Sequence, residues 1–312
     1  METLIFGNKD QMPVLGLGTW KSSRDEVYTT ILEAIKLGYR HIDCAPIYGN
    51  QAAIGHALNE AFAQNLVKRE DIWITSKLWN NAHKQEDVTT ALKQTLDELQ
   101  LDYLDLFLIH WPIAIKSDIR HPENANDFIS LDNIPISETW KGMEYQLKKG
   151  NCRHIGVSNF SLKKLQELVQ NAEIKPEVNQ IESHPYLQQT ELLEYCKKNN
   201  IHYTAYSPLG AGKSDDKLSS LITNSSIQSI ARKNKCTSAQ ILLKWGIQRG
   251  TSVIPKTTNI GRLKENFNSL KVVLHPDDKI KISELDKHHR FIDGKFWMYD
   301  GSPYTLKKLW DE

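Results

Sequence analysis

Two rhythms alternate along this chain: short apolar runs, and longer stretches in which apolar residues return at helical spacing. Thr3 to Phe6 and Gln11 to Val14, joined by Gly7-Asn8-Lys9-Asp10, read as a β-hairpin ahead of the main fold. Leu15-Gly16-Leu17-Gly18 is a short strand that breaks at Thr19-Trp20. Ser23 then suits the N-cap of a helix carrying Val27, Ile31, Ala34 and Ile35, and Gly38 suits its left-handed C-cap. The next strand ends on Asp43. Pro46 and Gly49 hold Tyr48 in a loop before a helix over Gln51 to Gln64.

The alternation continues. Strands are predicted over Asp71 to Lys77, Leu104 to His110, His154 to Asn159, Val178 to Glu182, His202 to Tyr206 and Ser252 to Ile254. Helices fall over Val88 to Leu99, Ser137 to Lys149, Leu162 to Asn171, Gln189 to Asn199, Ile227 to Lys233, Ser238 to Arg249 and Gly261 to Leu270. Residues 113 to about 135 read as one long loop. Eight strands with helices between them predict an α/β fold, a (β/α)8 TIM barrel with an N-terminal hairpin, occupying residues 1–312 as a single domain. The rival, a doubly wound open sheet, lacks a Gly-x-Gly-x-x-Gly after the first strand.

Composition narrows the function classes. Lys plus Arg number 39 against 38 for Asp plus Glu, which points to neither a nucleic-acid nor a membrane partner. The first residues lack the basic start and apolar run of a signal peptide. Cys44, Cys152, Cys196 and Cys236 are widely spaced, which favours reduced thiols in a cytoplasmic protein over a disulfide framework or zinc.

In such a barrel the chemistry lies where strands end. Those ends and their loops present Thr19, Trp20, Asp43, Tyr48, Lys77, Trp79, His110, Trp111, Ser158, Asn159, Gln180, Tyr206, Ser207, Lys256 and Thr257. Singly, each has a structural explanation. Asp43, Tyr48, Lys77 and His110 on one rim make a proton-handling set, in which the Lys77 ammonium, oriented by Asp43, lowers the Tyr48 pKa. Tyr48 could then donate a proton to a carbonyl oxygen as hydride reaches its carbon, and neutral His110 could donate a hydrogen bond to that oxygen. One rim histidine is too few for a metal site. None of these groups carries hydride, so a cofactor is implied. Asn159 and Gln180 suit a carboxamide, Tyr206 suits a stacked ring, and Lys256 with Arg262 around a helix N-terminus suits a phosphate.

These motifs resemble the aldo-keto reductase family, near its aldose and aldehyde reductase branch. The matching stretches are Gly18-Thr19-Trp20, Gly38 to Asp43, Lys77-Leu78-Trp79, Leu108 to Pro112, Gly156 to Phe160, Asn179 to Glu182, Ala205 to Gly210, and Ile254-Pro255-Lys256 through Glu265-Asn266. The resemblance implies a catalytic tetrad of Asp43, Tyr48, Lys77 and His110, and NADPH extended across the rim. It implies carboxamide contacts from Ser158, Asn159 and Gln180, and stacking on Tyr206. Thr19, Trp20, Asp43, Ser207 and Leu209 are further cofactor candidates. Lys256, Thr257 and Arg262 would take the 2′-phosphate, with Glu265 and Asn266 on the adenine. Trp20, Ile47, Trp79, Trp111 and Trp297 are candidates for the substrate pocket, which would take a small carbonyl compound in a monomeric enzyme. A cofactor-binding regulatory or structural protein on the same barrel is the alternative. Two stretches depart from that branch: Ala211-Gly212-Lys213 with Asp215 and Asp216 after Gly210, and the aromatic tail with Phe291, Phe296, Trp297, Tyr299, Tyr304 and Trp310. The tail is expected to form a loop over the barrel mouth.

Overall fold

The structure is a computed structural model that describes residues 2–210 and 220–312. Its first elements are the antiparallel strands β1 (Thr3–Ile5) and β2 (Gln11–Pro13), the hairpin read from the sequence. The barrel follows: β3 (Leu17–Gly18), α1 (Arg24–Leu37), β4 (His41–Asp43), α2 (Gln51–Ala63), β5 (Trp73–Leu78), α3 (Gln85–Leu99) and β6 (Leu104–Ile109). After a short two-stranded ribbon, β7 (Ala114–Ile115) with β8 (Phe128–Ile129), come α4 (Ile136–Lys149), β9 (Cys152–Ser158), α5 (Leu162–Asn171) and β10 (Val178–Glu182). Then α6 (Thr190–Lys198), β11 (His202–Tyr206), α7 (Ser225–Lys233), α8 (Ser238–Gln248), β12 (Ser252–Val253) and α9 (Ile260–Phe267) complete it. Two short helices, α10 (Pro276–Ser283) and α11 (Leu306–Trp310), lie beyond.

The eight barrel strands are parallel, in the order β3-β4-β5-β6-β9-β10-β11-β12. Closure comes from the two short end strands. Leu15 bridges Val253 and Gly18 bridges Lys256, with Gly16 N donating to Val253 O at 2.9 Å. Gly16 is required there, because a Cβ would come within 2.8 Å of the His41 ring. The N-terminal hairpin closes the base of the barrel, where Phe6 stacks on Trp73 at 5.1 Å.

Local signals set these boundaries. Ser23 and Glu26 form a reciprocal capping box on α1, and Gly38 ends it at φ 104° with its N–H on Ala34 O and Ile35 O. The long loop expected over 113–135 is corrected: it contains the ribbon β7–β8. Tyr304 Oη donates to Ile129 O at 2.7 Å and accepts from Ala114 N at 2.8 Å, so the distant tail fastens the ribbon. Strands of two residues leave no periodicity to read. The predicted helix over Gly261 to Leu270 is likewise split, α9 giving way to a 3-10 turn over Asn268–Lys271. Among the described residues no helix is long and apolar enough to cross a membrane.

Candidate active site

Consecutive strands bring Asp43, at the end of β4, beside Lys77, near the end of β5. Both are almost fully buried, and Lys77 Nζ lies 2.5 Å from Asp43 Oδ1. The ammonium also donates to Cys44 O at 2.9 Å and to Tyr48 Oη at 3.4 Å. Asp43 Oδ2 accepts from Gln180 Nε2 at 2.6 Å, and Thr19 Oγ1 donates to Asp43 O at 2.8 Å. Tyr48 leaves the strand on the 3-10 turn Pro46–Tyr48, which ends on Gly49 at φ 69°. Its ring meets His110 edge-on at 5.9 Å. The four predicted members of the tetrad therefore share one place on the rim.

Electrostatics there depart from one expectation. Burial would lower the Lys77 pKa, but Asp43 and Tyr48 outweigh it and the ammonium is held charged. Burial also raises the Tyr48 phenol, to about 12, despite the opposing pull of Lys77. The sequence argument that Lys77 brings the phenol below its ordinary value is thus corrected: desolvation wins, and Tyr48 remains an acid with its proton on. His110 is driven well below the usual histidine value, first by burial and then by Lys77, so its ring is neutral. His110 Nδ1 is buried without a partner among the described residues.

Beside this cluster the ends of β9, β10 and β11 are cross-linked. Ser158 Oγ donates to Gln180 O at 2.8 Å, Asn159 Nδ2 to His110 O at 2.9 Å, and Tyr206 Oη to Asn159 Oδ1 at 2.7 Å. The Tyr206 ring is thereby fixed as a flat wall. Asn159 and Ser207 both sit at positive φ, 64° and 47°, a conformation that side-chain-bearing residues seldom adopt and that concentrates at functional sites. Leu209 is half-buried between two apolar clusters.

The second group lies where β12 returns to β3. Thr257 Oγ1 accepts from Asn259 N at 3.1 Å, and Asn259 caps α9 by accepting from Arg262 N at 2.9 Å. Lys256 and Arg262 are exposed around that helix start. Glu265 accepts from Thr237 Oγ1 at 2.8 Å, and Asn266 is buried. A nicotinamide dinucleotide fits this set: a fixed aromatic wall and two cations at a helix N-terminus.

Three predicted pocket residues come together. Trp79 and Trp111 pack on Trp297 at 5.7 and 5.9 Å, and Trp79 meets His110 edge-on at 5.2 Å. Phe296 and Phe128 add to the same aromatic group. Trp20 is 43% exposed and takes the Lys21 ammonium over its ring at 4.3 Å; no ring contact joins it to the trio among the described residues. Ile47 is half-buried on the Tyr48 turn. Ala211, Gly212, Lys213, Asp215 and Asp216 lie outside the described residues.

Sequence reasoning assigned no role to Glu182. Fully buried at the end of β10, its carboxylate accepts from His184 Nε2, Phe291 N and Ile292 N, each at 2.8 Å, and so fastens the tail beside the rim. A carboxylate ending an apolar strand, as Asp43 does, was the available signal.

The model of the Aldo/keto reductase family matches residues 14–287. The chain belongs to the aldo/keto reductase family. It is 48% identical to an aldo/keto reductase of Synechocystis, over 100% of this chain and 97% of that protein. It is 42% identical to the Aldo-keto reductase family 1 member A1 of Bos taurus, over 93% of this chain and 90% of that one. Its fold matches the aldose reductase of Schistosoma japonicum with a TM-score of 0.88 at 37% identity, covering 95% of this chain and 96% of the other. This aldo/keto reductase is an oxidoreductase, and its family acts on carbonyl compounds.

Proposed function

We propose that this enzyme reduces aldehydes or ketones with NADPH, with Tyr48 as the proton donor. The observation that supports this most directly is Lys77 held between Asp43 at 2.5 Å and Tyr48 at 3.4 Å, opposite a neutral His110. A reduced nicotinamide supplies hydride when bound. Tyr48 then gives the proton of Oη to the carbonyl oxygen, and the charged Lys77 stabilises the phenolate left behind. His110, being neutral, donates one ring N–H to the same oxygen.

Ser158, Asn159 and Gln180 would hold the carboxamide, and Tyr206 would carry the ring, with Thr19, Trp20, Asp43, Ser207 and Leu209 around it. Lys256, Thr257 and Arg262 would read the 2′-phosphate, with Glu265 and Asn266 at the adenine. The aromatic wall of Trp79, Trp111 and Trp297, with Trp20 and Ile47 at its mouth, suits aromatic or medium aliphatic aldehydes and open-chain sugars. We take the chain as one barrel domain over residues 1–312, working as a cytoplasmic monomer on small molecules.

The test is NADPH absorbance with benzaldehyde, for wild type and Tyr48→Phe. Wild type should turn over, and Tyr48→Phe should lose about 10²–10⁴ in kcat with NADPH affinity retained. NADPH binding by wild type without turnover would instead favour a regulatory or structural role.

A further inference from the structure

Resting on that reading, we infer that Glu182 is a positioning residue for the cofactor: it fixes the tail across the end of β10, and the tail ring of Phe291 then braces the turn over residues 207–210, where Ser207 and Leu209 meet the cofactor. Gln180 and Glu182 are two residues apart on β10, so their side chains share one face of the strand. Gln180 reaches Asp43 Oδ2 from that face at 2.6 Å, and Glu182 stands one step nearer the rim. In register it lies opposite Tyr206 of β11, and the turn begins at the next residue. Glu182 is fully buried, and no Lys or Arg pairs with it among the described residues. Apart from His184, its bonds go to the tail backbone.

The tail is held there over residues 287–292. Lys287 N and His289 N donate to Tyr186 O at 3.1 and 3.0 Å, and Phe291 N and Ile292 N then donate to Glu182 at 2.8 Å. Those last two bonds fix where the Phe291 side chain leaves the tail. Its ring lies 5.0 Å from that of His184, and so near Gly210 that a Cβ there would come within 3.2 Å of Phe291 Cε2. Leu209 and Phe291 also pack against the same apolar cluster, around Tyr186 and Leu221. The turn has little of its own to hold it. Gly210 N donates to Ser207 O at 2.9 Å, while Ser207 and Gly210 both sit at positive φ, 47° and 77°. Backbone in that region persists where its surroundings over-determine it. Phe291 provides such surroundings, and Glu182 holds Phe291 in place.

The experiment titrates NADPH and NADH by tryptophan fluorescence into wild type, Glu182→Gln, Phe291→Ala, Phe291→Leu and the double variant Glu182→Gln/Phe291→Ala. Each is read at a temperature where circular dichroism shows it folded. Glu182→Gln sets an amide NH2 against donors that the carboxylate now accepts from. Kd for NADPH should rise about tenfold in Glu182→Gln and by a similar factor in Phe291→Ala. The double variant should bind no more weakly than the weaker single one, because both changes remove one brace. NADH should lose affinity by the same factor as NADPH, since the phosphate is read elsewhere, at Lys256 and Arg262. Phe291→Leu, which keeps an apolar side chain against Gly210, should recover most of the affinity. If Glu182→Gln does not fold, the two Phe291 variants decide the matter. An unaltered Kd in Phe291→Ala overturns the proposal, and so does a Glu182→Gln that unfolds more easily but binds as wild type does. Losses that multiply in the double variant, or a loss confined to NADPH, overturn it as well. Wild type that binds neither nucleotide would overturn the cofactor reading beneath it.

Discussion

The base and the rim of this barrel both bury charge, but they complete it differently. At the base His154 lies between Asp10 Oδ2 at 3.0 Å and Glu177 Oε2 at 2.9 Å, while Arg153 joins Asp10 to Asp105 and Arg69 pairs with Asp105 at 2.8 Å. Phe6 and Trp73 roof this network. At the rim Lys77 and Asp43 are as tightly paired, yet the phenol beyond them is half-buried and His110 Nδ1 has no partner among the described residues. At the base the charges are matched ion to ion, and they fasten the hairpin to the barrel. At the rim a phenol with its proton on and a neutral imidazole stand outside that pairing.

Four predictions press on that contrast, the largest effect first. Lys77→Met should lower turnover by about 10²-fold or more, because the phenolate loses its counter-charge. It should also destabilise the fold by about 3 kcal/mol, since Asp43 is left buried and unpaired. NADPH oxidation and denaturant unfolding measure the two; full activity with lowered stability would make Lys77 structural. Arg262→Ala should weaken NADPH about tenfold or more while sparing NADH, the size of one lost charge-assisted contact. Titration by tryptophan fluorescence checks this, and equal weakening of both would remove Arg262 from phosphate reading.

The pH profile of reduction should be the next largest effect. With His110 well below its usual value and Tyr48 at about 12, both groups keep their protons in the working arrangement across neutral pH. Turnover should therefore be flat from about pH 6 to 9 and fall only as alkali deprotonates the phenol. A bell centred near neutrality would mean that another group donates the proton.

The smallest effect belongs to the base. Burial works to raise the Asp10 carboxyl, but hydrogen bonds from His154 and Asn8 and the charge of Arg153 leave it below its ordinary value. Its stabilisation is therefore present above the unfolded pKa of about 4 and is lost as pH falls through the lower folded value. Asp10→Asn should cost about 1 kcal/mol at neutral pH, flatten the acid limb of stability, and leave kcat/KM unaltered. A change in kcat/KM would break the division between a structural base and a working rim.

The sequence by itself determined the barrel, because each βα unit writes its own boundaries in local chemistry: Ser23 and Glu26 cap α1, Gly38 stops it, and apolar runs end on Asp43 and Glu182. It also placed Asp43, Tyr48, Lys77 and His110 on one rim, since the topology of a parallel barrel sends every strand end to the same face. Tertiary structure decided what depends on neighbours far along the chain. The ribbon β7–β8 exists because Tyr304 reaches back across 175 residues to Ile129. Arg120 links the loops of Trp79 and Pro46, separate in sequence, because one offers a donor and the other an acceptor across one gap. The Tyr48 phenol rises because the folded chain removes it from water, and a pattern of residue types specifies how much water is removed only after the chain has packed.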